Sequence, residues 1–500
     1  MTAVVRAVGW RRWVLLRLLA VLVGCLPLLL AELGCRLLGF SGAAADSDPF
    51  VGFVGSRPLF QLSSDGQRYQ VSSSRLQFFQ PADFPAVKPA NTSRIFVLGG
   101  STVQGHPFST QTAFPRLLEL TLQRLDPARR WEVINCGGVS YASYRLLPVL
   151  QECLRYQPDI VIFCEGQNEF LEDVTYGTRR QLAESAGPLL QVLTRLHCVR
   201  ALLQLTTAAA PRGSAGTGVL QGPGQTMGSD DRPLLPTEVL TRLDQPDGLQ
   251  RFVRDDQHGA VVVQHFQSTL QRMVQLCREQ RVPFVLVQPP VNLADCPPFK
   301  SQFAVHAADQ QRMLDMLQQA RSVAGTDRQR AVQLAEQAVQ LDDRWALGWY
   351  ELGQLQLTSG DFAAAQQSLQ RAVDEDVCPL RMTTALQRTM QQVAADTGVP
   401  FLNADALLAA RCRGGIVSEQ VLVDHVHPSF GGHADIAIGL AELLLSKGLT
   451  GAAASGWQQS ARAACQAIVQ QLDDSYFLQG RRRLAVLRKW AAGRALELEE

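Results

Sequence analysis

The chain reads as an α/β protein with a doubly wound parallel core, and three observations carry that reading. First, from Arg94 on, short apolar and β-branched runs alternate with amphipathic stretches of helical length. Strands are expected at 94–99, 131–135, 158–164, 283–288 and 399–402, and helices at 111–124, 143–156, 260–280, 381–397, 404–410 and 431–447. Such alternation implies parallel pairing through right-handed crossovers. Second, the first strand runs straight into Gly99-Gly100-Ser101-Thr102, a tight turn at the carboxyl edge, where open α/β sheets bind their ligands. Third, three further polar turns each close a strand or open a helix: Asn135-Cys136-Gly137-Gly138, Gly166-Gln167-Asn168-Glu169 and Asp424-His425-Val426-His427.

Composition narrows the function. Five hundred residues exceed one such core, so insertions are expected. A net charge of +1 with 19% charged residues supplies no basic face for phosphates, which excludes nucleic acid as the expected partner. The 46% hydrophobic content supports a sizeable core. Eleven cysteines contain no Cys-x-x-Cys pair, so a zinc site has little support.

Taken in order, residues 1–12 carry Arg6, Arg11 and Arg12 ahead of an apolar run at 13–38, long enough for one membrane span. The basic flank stays cytoplasmic, which makes the run a signal anchor and turns everything after Phe40 outward. Leu22-Val23-Gly24-Cys25 matches a lipoprotein box by letter, but the apolar run continues past the cysteine, so lipidation of Cys25 ranks second. Residues 41–93 form a membrane-proximal segment of short strands and turns. Its Phe50, Phe53, Phe60, Phe78, Phe79 and Phe84 are expected to pack on the domain or line the approach to the membrane.

The core occupies 94–300 and 381–447, with a long loop at 207–236 rich in Gly, Ala and Pro. Between the two parts, 301–380 changes character. A helix is expected near 301–322. Then Trp349, Leu352, Gly353, Gly360, Ala365, Leu369 and Ala372 fall at tetratricopeptide spacing, with Gln356 at the usual tyrosine position. Ala331, Ala335 and Ala338 repeat the second-helix pattern one period earlier; an ordinary helical hairpin would give the same spacing. Because such repeats need about three copies to stand alone, this module must lean on the core and flank its pocket, and it is a candidate surface for a protein partner. Cys296 and Cys378 bracket it and are a candidate disulfide, with free thiols the alternative. The tail at 452–500 reads as two helices broken between Gly480 and Arg483, its arginines placed to touch anionic lipid or, more simply, water.

The four polar turns, in this order, resemble the SGNH (GDSL-type) hydrolase family, whose signature blocks supply a serine, a glycine, a Gly-x-Asn and an Asp-x-x-His. The resemblance covers about 94–170, 283–300 and 381–447. It implies a flavodoxin-like three-layer sandwich with a five-stranded parallel sheet, hydrolysing or transferring acyl esters of lipids, carbohydrates or thiols without metal or organic cofactor. It assigns Ser101 as nucleophile, His427 as base and Asp424 as the group that orients the base, with the Ser101 amide, an amide of the Gly137-Gly138 turn (Gly137 by alignment) and the Asn168 side chain receiving the oxyanion. Those groups make up what acyl transfer needs. Gly100, Gly138, Gly166 and Glu169 complete the expected pocket, and Tyr141, Tyr144, Arg145, Glu165 and Gln167 lie near the same edge. His425 is the alternative base, and Arg381 a candidate for an anionic substrate group or, more plainly, a surface arginine at a helix start. Two departures stand out: Gly100 replaces the family's usual aspartate, and Glu169 the aspartate that often follows the asparagine. An esterase facing outward is the leading reading. An O-acyltransferase acting on envelope polysaccharide uses the same residues, and a helical-repeat binding protein on a hydrolase scaffold uses none of them.

Overall fold

The computed structural model describes residues 17, 26, 31–34, 58–171 and 248–496. From residue 58 on they belong to one compact unit. The expected membrane span falls, apart from those first six positions, outside the described residues, as do Phe50, Phe53 and the 207–236 loop. Among the described residues no helix is long and apolar enough to cross a membrane.

A small antiparallel sheet comes first: β1 (Phe60–Leu62), β2 (Arg68–Val71) and β3 (Asp83–Pro85). The central sheet follows, with β4 (Thr92–Gly99), β5 (Arg130–Gly137), β6 (Ile160–Cys164), β7 (Phe284–Gln288) and β8 (Phe401–Asn403). Its order is β5-β4-β6-β7-β8 and every neighbouring pair is parallel. Counted along the core alone this is the flavodoxin-like order. All eight residues of β4 are buried, as a central strand covered on both faces requires.

Helices supply the two covering layers. On one face α2 (Phe114–Leu125), α11 (Phe430–Ser446) and α12 (Trp457–Gln471) bury Leu118, Leu122, Ile436, Leu440, Leu444 and Trp457 against Ile95, Val97, Ile162 and Val285. Strand alternation turns Phe96, Leu98, Phe163 and Leu286 to the other face. There α4 (Asp256–Glu279) packs against both α3 (Ser143–Cys153) and α9 (Thr384–Thr397). The short α1 (Ser101–Gln104) and α10 (Ala404–Ala409) finish the core.

The aromatic approach packs on the domain, as its composition suggested. The ring of Phe84 lies 5.4 Å from those of Phe96 and Tyr156, both edge-on, and Phe60, Phe78 and Phe79 are buried. Arg94 seals the seam, pairing with Glu132 at 2.5 Å and donating to the Pro85 and Tyr156 carbonyls at 2.9 Å.

The inserted segment forms two helical hairpins: α5 (Ala307–Val323) with α6 (Arg328–Leu341), and α7 (Ala346–Ser359) with α8 (Phe362–Asp374). The helix expected from 301 starts six residues later, because the Ala304 amide is held by Asp342 and the Ser301 hydroxyl receives the Leu347 amide. Gln356 is buried and its Oε1 accepts from the Ser368 hydroxyl at 2.7 Å, which gives the polar residue at the expected tyrosine position a partner. The module does lean on the core. Glu375 joins Arg254 and Arg344 at 2.6 Å each, Arg344 reaches Asp256 on α4, and the Tyr350 hydroxyl donates to the Ala294 carbonyl.

One open alternative is decided and two expectations are corrected. Cys296 and Cys378 are free thiols packed in one apolar cluster with Phe299 and Leu380. Arg381 is neither on the surface nor open to a substrate: it is 1% exposed, pairs with Asp376 and donates to the Asn292 and Cys296 carbonyls, so its charge serves to close the loop after β7. In the tail the break falls between α12 and α13 (Asp474–Leu496), not at 480–483. Gly480 lies inside α13, and the Phe108 ring occupies the space where a Cβ would stand. Arg483 and Arg488 donate to the Phe108 and Val423 carbonyls.

Candidate active site

The strand register explains why distant turns meet. Gly99 on β4 sits opposite Gly137 on β5 and Cys164 on β6, so the turns after these residues emerge side by side. The gap between β4 and β6 is the point where the strand order reverses, the place an open α/β sheet offers a crevice. Ser101 leaves β4 there and Asn168 leaves β6. The Asp424–His427 segment arrives from the loop before α11.

These turns place a hydroxyl, an imidazole and a carboxylate in line. His427 Nε2 is 2.7 Å from Ser101 Oγ, and His427 Nδ1 is 2.6 Å from Asp424 Oδ2. The other carboxylate oxygen accepts the amides of Val426 and His427 at 3.0 and 2.9 Å, a closed turn that fixes the carboxylate beneath the ring. Burial alone would raise the Asp424 pKa. The His427 and His425 imidazoles and the hydrogen bonds outweigh it and hold the carboxyl well below the usual carboxylate range. An ionised Asp424 accepts a proton-bearing Nδ1, leaving Nε2 as acceptor for the Ser101 hydroxyl.

His427 and not His425 is the imidazole within reach of Ser101. His425 Nδ1 stands 3.6 Å from Asp424, and burial pushes its pKa down to about 4. The ligand atoms of Asp424, His425 and His427 lie within 4.8 Å of one another, close enough for a metal ion. Yet both nitrogens of His427 are already committed to Asp424 and Ser101.

The surroundings of Ser101 explain the first departure. A Cβ on Gly100 would meet Glu165 Oε2 at 2.2 Å and Asn168 Nδ2 at 2.7 Å, so the space an aspartate would need is filled from the β6 end. The Asn168 amide is thereby placed beside the Gly100-Ser101 turn, and it also donates to the Tyr141 carbonyl at 3.3 Å. Gln167 donates to the Thr102 hydroxyl. Glu169 accounts for the second departure: its longer side chain accepts the Ser143 amide at 2.8 Å and hydroxyl at 3.0 Å, pinning the start of α3.

The glycine block is corrected. The Gly137 amide is engaged by the Asn135 side chain and the Gly138 amide by the Gly99 carbonyl, both at 2.9 Å. Gly137 is needed for close approach, since a Cβ there would strike the Gln104 amide at 2.3 Å; at Gly138 it would press the Phe79 and Tyr141 rings. Two residues on, Ser140 takes φ +60°, and its amide donates to no group among the described residues. A serine in the left-handed region is the signal the sequence hides, because serine carries no mark of that conformation.

Asn292 was also missed. Its side chain donates to the Asp424 carbonyl at 2.9 Å and its amide to the His425 carbonyl at 3.0 Å, tying the loop after β7 to the Asp-His turn. Beside Asp424 a cleft of about 190 Å³ opens, lined by Cys296, Pro298, Phe299, His425, Leu487 and Arg488, so the core loop after β7 and α13 border it, and none of its lining residues comes from 301–380. Tyr141 and Arg145 are buried and stacked, the guanidinium 3.7 Å from the ring centre. Tyr144 packs edge-on against His265, as a core aromatic.

No family model and no curated protein matches the chain. Among solved structures it is similar to a putative lipolytic protein of the G-D-S-L family from Desulfitobacterium hafniense, at 11% identity and TM-score 0.31, covering 70% of this chain and 99% of that one. It is also similar to an acetyl xylan esterase from Geobacillus stearothermophilus (12%, 0.32, 70% and 94%) and to a lipase/acylhydrolase from Enterococcus faecalis (11%, 0.30, 71% and 96%). Likeness at this level does not decide activity, which is read from the chain's own geometry.

Proposed function

We propose that the chain is a serine-dependent SGNH-type ester hydrolase, anchored through residues 13–38 with its catalytic unit outside the cytoplasmic membrane. The observation that carries the chemistry is the buried line Asp424–His427–Ser101, with contacts of 2.6 and 2.7 Å at the reversal point of the sheet. What supports the anchor is the apolar run behind three arginines.

In this reading Ser101 Oγ attacks the ester carbonyl while His427 Nε2 takes its proton, and Asp424 stabilises the imidazolium that forms. The same nitrogen then protonates the leaving alkoxide. Water repeats the sequence on the acyl-enzyme and frees the acid. The developing oxyanion is met by the Ser101 amide, the Asn168 side chain and, in place of the glycine amides, the Ser140 amide. Donors held in place before the reaction starts supply most such stabilisation.

The test is labelling of the full chain by a fluorophosphonate, with Ser101→Ala as control. Ser101-dependent labelling is expected, and labelling that survives the substitution ends the proposal. Product analysis with and without a sugar acceptor then separates hydrolysis from acyl transfer.

A further inference from the structure

Glu165 sits directly under the reacting turn, and the proposed reaction does not use it. It comes directly after the last residue of β6, its side chain is 0% exposed, and Oε1 accepts the amides of Gly166 and Asn168 at 3.0 and 3.1 Å. Those two bonds shape the turn that carries the Asn168 amide. Oε2 is buried without a hydrogen-bond partner among the described residues, in the space left by the missing side chain of Gly100 and beside Asn168 Nδ2. A carboxylate with one oxygen so placed would be a buried, half-solvated charge, which proteins avoid by keeping the proton.

We propose that Glu165 is a positioning residue of the ester-cleaving site: held as a neutral acid beneath Gly100 and Ser101, it fixes the Gly166–Asn168 turn and keeps negative charge away from the oxyanion that Asn168 receives. The inference rests on the proposed esterase function. Its electrostatics agree with the geometry. Burial pushes the Glu165 pKa up to about 8, the neighbouring Glu169 adds to the rise, and the hydrogen bonds from the Gly166 and Asn168 amides oppose it, as does, least of all, the nearby Gly100 amide, which lies outside hydrogen-bond geometry. The other titratable group against it is Cys164, itself pushed up by burial and by Glu165. From the segment before α9 the turn meets the Met382 thioether, which carries no charge.

Ionisation would place a second negative charge beside the developing oxyanion and weaken its stabilisation. The experiment follows kcat/KM of the full chain on p-nitrophenyl acetate from pH 6 to 10, with Ser101→Ala as blank. The wild type is expected to lose rate above an apparent pKa near 8, by at most about tenfold per pH unit until the lower rate of the ionised form is reached. Glu165→Gln keeps the neutral-pH rate within a few-fold and loses that alkaline limb, whereas Glu165→Ala lowers the rate at every pH because the Gly166 and Asn168 amides lose their acceptor. An alkaline limb unchanged in Glu165→Gln overturns the proposal, while turnover that survives Ser101→Ala overturns the esterase reading instead.

A second measurement needs no turnover. A carboxyl whose folded pKa is raised contributes stability at low pH that is lost between its ordinary value of 4.5 and about 8. The melting-temperature gap between Glu165→Gln and wild type therefore widens from pH 5 to 8 and is flat above; a constant gap overturns the neutral acid. Should the glutamine variant fail to fold, infrared titration of the wild type decides, a protonated-carboxyl band persisting at pH 7 being expected and its absence fatal.

Discussion

At the carboxyl edge of the sheet the reacting polar groups are buried and held by named partners, whereas the inserted hairpins are held mainly by apolar contacts inside, with charges at the rim. Ser101, Asn168 and His427 are each at most 9% exposed, and the Asp424 side chain is 7% exposed. In the hairpins the interior is Met313, Leu317, Ala335, Trp345 and Leu352, and the ions, such as Arg321 with Glu351, stand at the surface. The first arrangement costs stability and is worth keeping only for chemistry, since buried polar groups carry a desolvation penalty that apolar packing avoids. The second is what a support needs. Substitutions at the two places should therefore show in different measurements, turnover at the edge and melting in the hairpins.

The largest effect is expected from Ser101→Ala. It should lower ester turnover by about 10⁴-fold or more while leaving the melting temperature close to wild type, because it removes the nucleophile and no packing. Arg321→Ala in the hairpins should leave turnover untouched, since an exposed pair contributes little. Equal turnover in wild type and Ser101→Ala would erase the distinction. Next comes Asn168→Ala, expected to cost about 100- to 1,000-fold in kcat with little change in KM, as the loss of one oxyanion donor does. A loss confined to KM would assign Asn168 to ground-state binding.

How much of the molecule was legible in the sequence obeys the same divide. The apolar periods of β4, β6 and β7 named the sheet, the polar turns after β4 and β6 named Ser101 and Asn168, and the polar turn before α11 named Asp424 and His427, because residue type and position at an element's end together carry that signal. What the sequence hid depends on backbone direction. Whether Gly137 or Ser140 offers its amide turns on where the Asn135 side chain and the Gly99 carbonyl point, and no residue letter encodes that. Arg381 misled for a related reason. An arginine after a helical repeat looks solvated unless one knows that the loop after β7 presents it with unpaired carbonyls. Gly480 looked like a helix break by composition and is a contact with Phe108.

Leu352→Ala tests the hairpin side. Leu352 is 2% exposed in the module's core, and truncating such a leucine costs about 2–5 kcal/mol. Differential scanning calorimetry should show a lowered or split transition with kcat unchanged at a temperature below it. A fall in kcat at that temperature would mean that the hairpins act on the site from a distance, and would blur the two regions into one.

The smallest effect sharpens the edge side by pH. His433 is buried on α11 beneath His427, its Nδ1 accepts the Phe114 amide at 3.2 Å, and burial pushes its pKa down to about 3. His106, whose ring lies 5.4 Å from that of His427, is likewise pushed down to about 3, first by burial and then by the His427 charge. A histidine held neutral in the folded chain binds its proton more readily when unfolded, so the stability it contributes is present above its ordinary value of 6.5 and is lost as pH falls toward the folded value. Each such group can remove at most about 1.4 kcal/mol per pH unit across that window. Urea unfolding of wild type and His433→Gln between pH 7 and 4 should therefore give curves that converge, with the wild type falling faster as acid is added. Parallel curves would show that the imidazole under His427 takes up its proton without unfolding the chain, and that this part of the edge is less tightly sealed than the line from Asp424 to Ser101.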